Sequence, residues 1–259
     1  MPKTAASHQA LVASQFGPQA AAYVTSAVHA RGEDLERIAA AIARLRPAAF
    51  LDLGCGGGHV GFAAAPFAGT VTAYDLSADM LAAVAGEASR RGLTNIVTRQ
   101  GAAEALPFAD ASFDAVASRY SAHHWSDMAK GVAEAARVLK PGGFAVFADA
   151  VAPQDTLLDT FLQSFELLRD PSHVRNRSIA EWRGVVEAAG LEVVSVVPGR
   201  LPLDFTAWIE RMKTPPVFAT AIRALQDAMA ARVREHFDIR ADGSFTIDTM
   251  VMEAQKKRG

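Results

Sequence analysis

The sequence predicts an α/β protein with a doubly wound, mostly parallel seven-stranded sheet. Three observations point there. Between residues 33 and 150, short apolar runs alternate with alanine-rich helical stretches. The first of these runs ends in a cluster of glycines that opens a helix. Two extended segments in the last third of the chain can return to the edge of the sheet.

The elements follow in order. Strands are predicted at residues 48–53, 70–74, 96–100, 113–118 and 143–148, each apolar on both faces as buried parallel strands should be. Helices are predicted between them at 60–66, 78–91 and 128–139. Beyond Val151, residues 155–168 and 180–189 read as helices, with Gly190 as a stop and a strand at 191–197. A helix at 206–213 breaks at Pro215-Pro216, a long helix covers 217–237, and 244–254 forms the last strand. No Gly/Ser-rich linker divides the chain, so one domain is expected. Residues 1–32 form an N-terminal helical lid, 33–150 the core, and 151–259 cap helices with the closing strands.

Composition narrows the function. The 259 residues are 50% hydrophobic and 21% charged, with net charge −2 and pI near 6.4. That describes a globular chain with no global basic field, so no nucleic-acid partner is expected. Charges or prolines interrupt every apolar run, which argues against a membrane partner. The first fourteen residues do not resemble a signal peptide, so a cytoplasmic location is expected. A single cysteine, Cys55, leaves no intrachain disulfide framework.

The strongest local signal is the segment Leu51-Asp52-Leu53-Gly54-Cys55-Gly56-Gly57-Gly58-His59-Val60-Gly61. Glycines at the carboxyl end of a first strand leave no Cβ in the way of a ligand and form a pocket for a nucleotide-like cofactor. Asp75 lies 21 residues after Gly54 at the end of the second strand, where a carboxylate can accept from both ribose hydroxyls. Gly56-x-Gly58-x-x-Gly61 also matches the dinucleotide fingerprint. The turn alone does not choose between a nicotinamide cofactor and S-adenosylmethionine. Asp52 adds a carboxylate that can face the positive amino or sulfonium end of a methionine-derived cofactor.

Further blocks follow in order: Tyr74-Asp75-Leu76-Ser77-Ala78-Asp79-Met80-Leu81, Gln100-Gly101-Ala102-Ala103-Glu104-Ala105-Leu106-Pro107-Phe108, Phe113-Asp114-Ala115-Val116, and Arg137-Val138-Leu139-Lys140-Pro141-Gly142-Gly143. With the glycine turn, they make the chain resemble the class I S-adenosylmethionine-dependent methyltransferases. It is nearest the type 11 small-molecule branch that includes the ubiquinone/menaquinone-biosynthesis methyltransferases. The resemblance spans about residues 45–150. It implies a Rossmann-like sheet, S-adenosyl-L-methionine as cofactor and S-adenosyl-L-homocysteine as product. By resemblance, Gly54 and Gly56 line the methionine part, with Cys55 as the small residue between them. Asp75 binds the ribose, and Leu76 and Met80 pack on the adenine. The Ala102-Ala103-Glu104 turn lies at the adenine edge, with Ala102 where the family usually has Asp. Arg119 and Tyr120 are placed near the methionine carboxylate and the substrate. An aromatic residue of the N-terminal helix often closes the cofactor, which makes Tyr23, followed by His29 and Arg31, the lid candidate.

For the chemistry, the fourth strand runs into Ser118-Arg119-Tyr120-Ser121-Ala122-His123-His124-Trp125. His123 and His124 are the catalytic candidates, because an imidazole can take a proton at neutral pH. As neighbours in sequence they are expected to point apart, so that only one faces the substrate. They lack the i, i+4 spacing of helical metal ligands, and no metal is expected. The stretch from Arg169 to Arg177 can bind an anionic substrate, with His173 and Arg175 as candidates there. Trp208 is a candidate aromatic platform. The expected acceptor is a small molecule methylated on oxygen, nitrogen or carbon, and the assembly a monomer or homodimer. Two alternatives stay open: a non-catalytic protein that binds the cofactor, and a nicotinamide-dependent oxidoreductase.

Overall fold

A computed structural model describes residues 7–24 and 31–258 of the chain; His29 lies outside them. Helix α1, His8–Phe16, starts at Ser7, whose hydroxyl accepts from the Ala10 amide. A 3-10 turn at Gly17–Gln19 leads into α2, Ala20–Val24. Helix α3, Glu33–Leu45, was not anticipated as a separate element. Its buried Leu35, Ile38, Ala41 and Ile42 form one stripe, and Glu33, Asp34 and Glu36 favour its N-terminus.

The predicted alternation then unfolds: β1 Ala49–Leu53, α4 His59–Ala64, β2 Thr70–Asp75, α5 Ala78–Arg90, β3 Ile96–Gln100, β4 Phe113–Arg119, α6 Met128–Val138 and β5 Leu139–Ala150. The last third adds α7 Thr156–Arg169, α8 Ile179–Ala188, β6 Leu191–Leu203, α9 Phe205–Met212, α10 Pro216–Ala228, α11 Ala231–His236 and β7 Phe245–Lys256. The sheet runs β3-β2-β1-β4-β5-β7-β6. Strands β1 to β5 pair in parallel. Strand β7 runs antiparallel to both its neighbours, β5 and β6.

Side chains alternate across β1. Leu51 and Leu53 join Val116, Phe147 and Trp182 in one core, under α6 and α8. Phe50 joins Ile38, Ile42, Val71 and Val146 in the other, under α3 and α4. Each such buried side chain contributes roughly 1.5–3 kcal/mol. A third core under the cap joins Phe161, Phe165, Trp208, Phe237 and Phe245.

Two expectations need correction. Strand β3 is not buried on both faces: it is the sheet edge, with Val97 43% exposed. The single helix expected over 217–237 is two, with Met229 and Ala230 extended between them. No Pro or Gly marks that break. Val233 and Phe237 are fully buried, and Phe237 lies against Phe161 and Phe165 on α7, so tertiary burial bends the chain there.

Candidate active site

The carboxyl ends of β1, β2, β4 and β5 open into one cavity of about 270 Å³. Its floor is the glycine turn. The Gly54 and Cys55 amides both donate to the Tyr74 carbonyl, at 2.8 and 3.0 Å, which fastens the turn to β2. Gly56 is left-handed (φ +47°), and nothing lies within 4 Å of where its Cβ would stand. Its Cα therefore borders open cavity, a cradle that any side chain would fill.

Asp52 is 1% exposed and faces α4, where one carboxylate oxygen accepts from the Gly61 amide at 2.8 Å. Burial, then the nearby Asp75 charge, push its pKa up to about 7, against the pull of that hydrogen bond. Asp75 is half-buried and divides its oxygens: Oδ2 accepts from the Gly56 amide and Oδ1 from the Ser77 amide, both at 2.9 Å. Burial also raises its pKa. Leu76, Met80, Ala103 and Glu104 line the cavity beyond it. Ala102 does not. Its carbonyl accepts from the Tyr74 hydroxyl at 3.2 Å, behind the wall that Gly101 and Ala103 present. The Cys55 thiol lines the cavity, with burial pushing its pKa well up, so it stays protonated.

At the end of β4, Arg119 and Tyr120 also line the cavity. The Arg119 guanidinium forms a buried ion pair with Asp34 of α3 and lies over the Tyr120 ring, 5.1 Å from its centre. Its carboxylate partner is thus supplied by the chain itself, from a helix the sequence reading passed over. Tyr120 has a left-handed backbone (φ +50°), and burial raises its phenol pKa.

The expectation that the two histidines diverge is overturned. Residues Ala122–His124 form a 3-10 turn, in which successive side chains are about 120° apart rather than opposed. Both rings line the cavity, with centres 4.2 Å apart. His123 Nδ1 donates to Asp149 Oδ1 at 2.5 Å, while Asp149 Oδ2 accepts from the Ala122 amide at 3.0 Å. Burial alone would lower the His123 pKa. The charge and hydrogen bond of Asp149 outweigh it and hold His123 above the ordinary histidine value. His124 Nδ1 donates to the Ser172 carbonyl at 3.1 Å. Burial and the neighbouring His123 keep His124 well below the usual range, hence neutral. Asp149, 2% exposed, is the site residue that the sequence reading missed. Its signal was a lone carboxylate ending an apolar strand, one residue past the predicted boundary.

The roof comes from α1, α2 and α9. The Tyr23 carbonyl accepts from His59 Nε2 at 2.8 Å, holding α2 against the glycine turn. Gly57 permits that approach, since a Cβ there would stand 2.8 Å from the same carbonyl oxygen. The Tyr23 hydroxyl reaches the Met212 sulfur at 3.4 Å, and Gln15 donates to the Met212 carbonyl at 3.1 Å. Phe16 packs edge-on against both Tyr23 and His124. Trp208 lines the cavity but is 2% exposed, its ring held against Phe165 and Phe245.

His173 and Arg175 do not reach the cavity. His173 Nε2 donates to Gln163 Oε1 at 3.0 Å, and burial with the nearby histidines holds its pKa far down. Arg175 pairs with Asp159 at 2.5 Å, and Arg177 with Glu181 at 3.3 Å. Local carboxylates thus hold most of the arginine-rich stretch away. Arg169 alone among its arginines lines the cavity, joined by Arg211. Among the described residues, no cluster of His, Cys, Asp or Glu is placed to hold a metal ion.

Residues 51–147 match the methyltransferase domain model. The chain is 46% identical to the uncharacterized protein YafE of Escherichia coli over 199 residues, 77% of this chain and 96% of that one. The crystal structure of YcgJ from Bacillus subtilis superposes with a TM-score of 0.83 at 33% identity, covering 87% of this chain and 99% of that one. YcgJ is named as a methyltransferase and is 38% identical over 200 residues, 77% of this chain and 79% of that protein. The chain belongs to the methyltransferase domain family. A demethylmenaquinone methyltransferase of Chlorobaculum parvum shares 38% identity over 109 residues, 42% of this chain and 43% of that one. The protein is thus an enzyme of the S-adenosylmethionine-dependent class by family. Its sheet agrees: the antiparallel β7 between β5 and β6 departs from the 3-2-1-4-5-6 order of the dinucleotide folds. Membership in that family points the ambiguous glycine fingerprint toward S-adenosylmethionine rather than a nicotinamide cofactor. Among the described residues, no helix is long and apolar enough to cross a membrane.

Proposed function

We propose that this methyltransferase transfers a methyl group from S-adenosyl-L-methionine to oxygen, nitrogen or carbon of a small-molecule acceptor by in-line displacement. The observation that carries this reading is the single cavity joining Gly56 and Asp75 at one side to the His123–Asp149 pair at the other, beneath α1 and α9. The small-molecule class is supported by the name of the demethylmenaquinone methyltransferase among its relatives.

The bound cofactor supplies an activated methyl group on a sulfonium. The chain's residues hold and orient it. Each Asp75 oxygen already accepts one amide and keeps a lone pair for a ribose hydroxyl. Gly54 and Gly56 would border the methionine part, with the neutral Cys55 thiol between them, and Asp52, held by the Gly61 amide, would be the carboxylate nearest its cationic end. Leu76 and Met80 would pack on the adenine, and Ala103 and Glu104 would meet its edge. Arg119 and Tyr120 wall the cavity, and Tyr23 and Phe16 exclude water from above. Asp149 keeps the proton of neutral His123 on Nδ1, leaving Nε2 to take a proton from the acceptor as it is methylated. His124, held neutral, positions rather than carries charge.

Calorimetry and a small-molecule screen for S-adenosylhomocysteine release test the reading together. S-adenosylhomocysteine should bind wild type, and Asp75→Ala should weaken it by roughly 1.5–3 kcal/mol, about ten- to hundredfold. Unchanged affinity in Asp75→Ala would remove the ribose from that site. Tight binding without turnover on any acceptor would leave a binding protein rather than an enzyme.

A further inference from the structure

The cap side of the cavity combines an apolar wall with two guanidinium groups. Leu201, Leu203, Ile247 and Trp208 supply the wall. Arg169, at the end of α7, is fixed from three sides. Its Nε donates to the Trp208 carbonyl at 3.1 Å, its guanidinium lies 4.7 Å from the Trp208 ring centre, and Glu166 stands 3.7 Å away. Arg211 lies three residues after Trp208, on the same face of α9. It is half-buried and lines the cavity, yet among the described residues neither a carboxylate nor a carbonyl accepts from it. Burial and the Arg169 charge both lower its pKa, and Tyr23 only partly offsets them.

Arg119, Arg169, Arg175 and Arg177, by contrast, each meet a carboxylate. The carboxylates that line the cavity, Asp34, Asp52, Asp75 and Glu104, come from α3, β1, β2 and the loop after β3, none from the segment after β5. Two like charges that share a partly desolvated wall are unfavourable unless an anion joins them. A guanidinium is the group best shaped to receive a carboxylate or phosphate through paired hydrogen bonds.

We propose that the methyl acceptor is an amphipathic anion, with a carboxylate or phosphate held by Arg211 and Arg169 and an apolar body against the Leu201–Leu203–Trp208 wall. The proposal rests on the methyl-transfer reading and names the acceptor class for it. The apolar wall excludes water around the ion pair and strengthens it. Arg169, held in place by Trp208, is the preorganised member, while Arg211 supplies the uncompensated charge.

The test uses the full chain loaded with S-adenosylhomocysteine. Octanoate, octyl phosphate, octanamide and octylammonium are titrated by calorimetry. At least one of the two anions should bind tenfold or more tightly than octanamide, with octylammonium weakest. Whichever anion leads identifies the carboxylate or the phosphate form. Arg211→Met should abolish the preference, and Arg211→Lys should retain part of it. Both variants should bind S-adenosylhomocysteine within twofold of wild type, which also reports that they fold. Absence of any anion preference, including no binding of any probe, overturns the proposal. So does a Met variant that loses the cofactor instead, since the guanidinium would then serve the methionine carboxylate. Failure of wild type to bind S-adenosylhomocysteine would instead strike the methyl-transfer reading, and anion preference is then read on the unloaded protein.

Discussion

In the proposed mechanism the His123–Asp149 contact carries the proton chemistry, because it keeps the ring proton on Nδ1 and raises the pKa of the ring. The carboxylate is 2% exposed and accepts at 2.5 Å, so it acts on the ring with little solvent screening. It raises the pKa of His123, and a base must be neutral to accept a proton. Methyl transfer to a hydroxyl or acidic carbon should therefore rise with pH through that raised value. Asp149→Asn removes the charge while its amide oxygen can still accept from the ring. The rising limb of the pH–rate profile should then move to lower pH, and the plateau rate should fall about ten- to hundredfold, less than the ~10²–10⁴-fold of general-base catalysis because the imidazole itself remains. A profile that keeps its position in Asp149→Asn would show that His123 is not the titrating base. The variant also loses the charge that meets the Ala122 amide, so the circular dichroism spectrum is the companion check that the turn survives.

The elements that build the site were legible to different degrees, for physical reasons. Strands β1, β2 and β4 were readable because buried parallel strands are continuous apolar runs, and the glycine turn because backbone approach there admits no Cβ. Ile96–Gln100 was found within the same alternation, yet its exposure at the sheet edge was not visible, since edge position depends on which strand pairs outside it. Helix α3 carries its signal openly in the Leu35, Ile38 and Ile42 spacing and an acidic first turn. The site's charge pairs were the least legible. Asp34 meets Arg119 across 85 residues and Asp149 meets His123 across 26, and local sequence does not encode such separations. The arginine-rich stretch misled for the same reason, because Asp159 and Glu181 neutralise Arg175 and Arg177 from flanking helices. The lid carries a prediction of its own. Helix α2 is attached to the glycine turn by the His59–Tyr23 hydrogen bond. His59→Phe removes that donor, at a cost of about 0.5–1.5 kcal/mol. Hydrogen exchange over residues 8–24 should accelerate about two- to tenfold, while amides of β1 and β4 keep their protection. Equal acceleration across the sheet would mean that the bond supports the whole fold rather than the lid.

At the scale of the whole molecule, Asp52 couples stability to the site. It lies on β1, which pairs with both β2 and β4, and its folded-state pKa of about 7 stands above the ordinary aspartate value of 3.8. Between those values the folded chain binds more protons at this group than the unfolded chain does. The Asp52 contribution to stability is therefore greatest below pH 3.8, falls as pH rises, and levels off above about 7. Carboxylates with depressed values, such as Asp114 beside Lys140, act in the opposite sense and are lost as pH falls. The net pH profile of wild type thus mixes both signs, and the informative quantity is its difference from Asp52→Asn. Asparagine keeps an oxygen for the Gly61 amide and cannot ionise. Any cost of its amide nitrogen is constant with pH and drops out of the slope. In ligand-free protein, the stability of Asp52→Asn relative to wild type should increase from pH 4 to pH 7 by an amount on the order of a few kcal/mol. With the proposed placement of the cofactor, saturating S-adenosylhomocysteine should shrink that increase, because its amino group would give the ionised Asp52 a counter-charge that the asparagine cannot use. Denaturant unfolding at pH 4, 5.5 and 7, with and without the ligand, measures both effects. A flat difference across pH in the ligand-free protein would mean that Asp52 is ionised at neutral pH without penalty. A rise that the ligand leaves untouched would place the cofactor's cationic end away from β1.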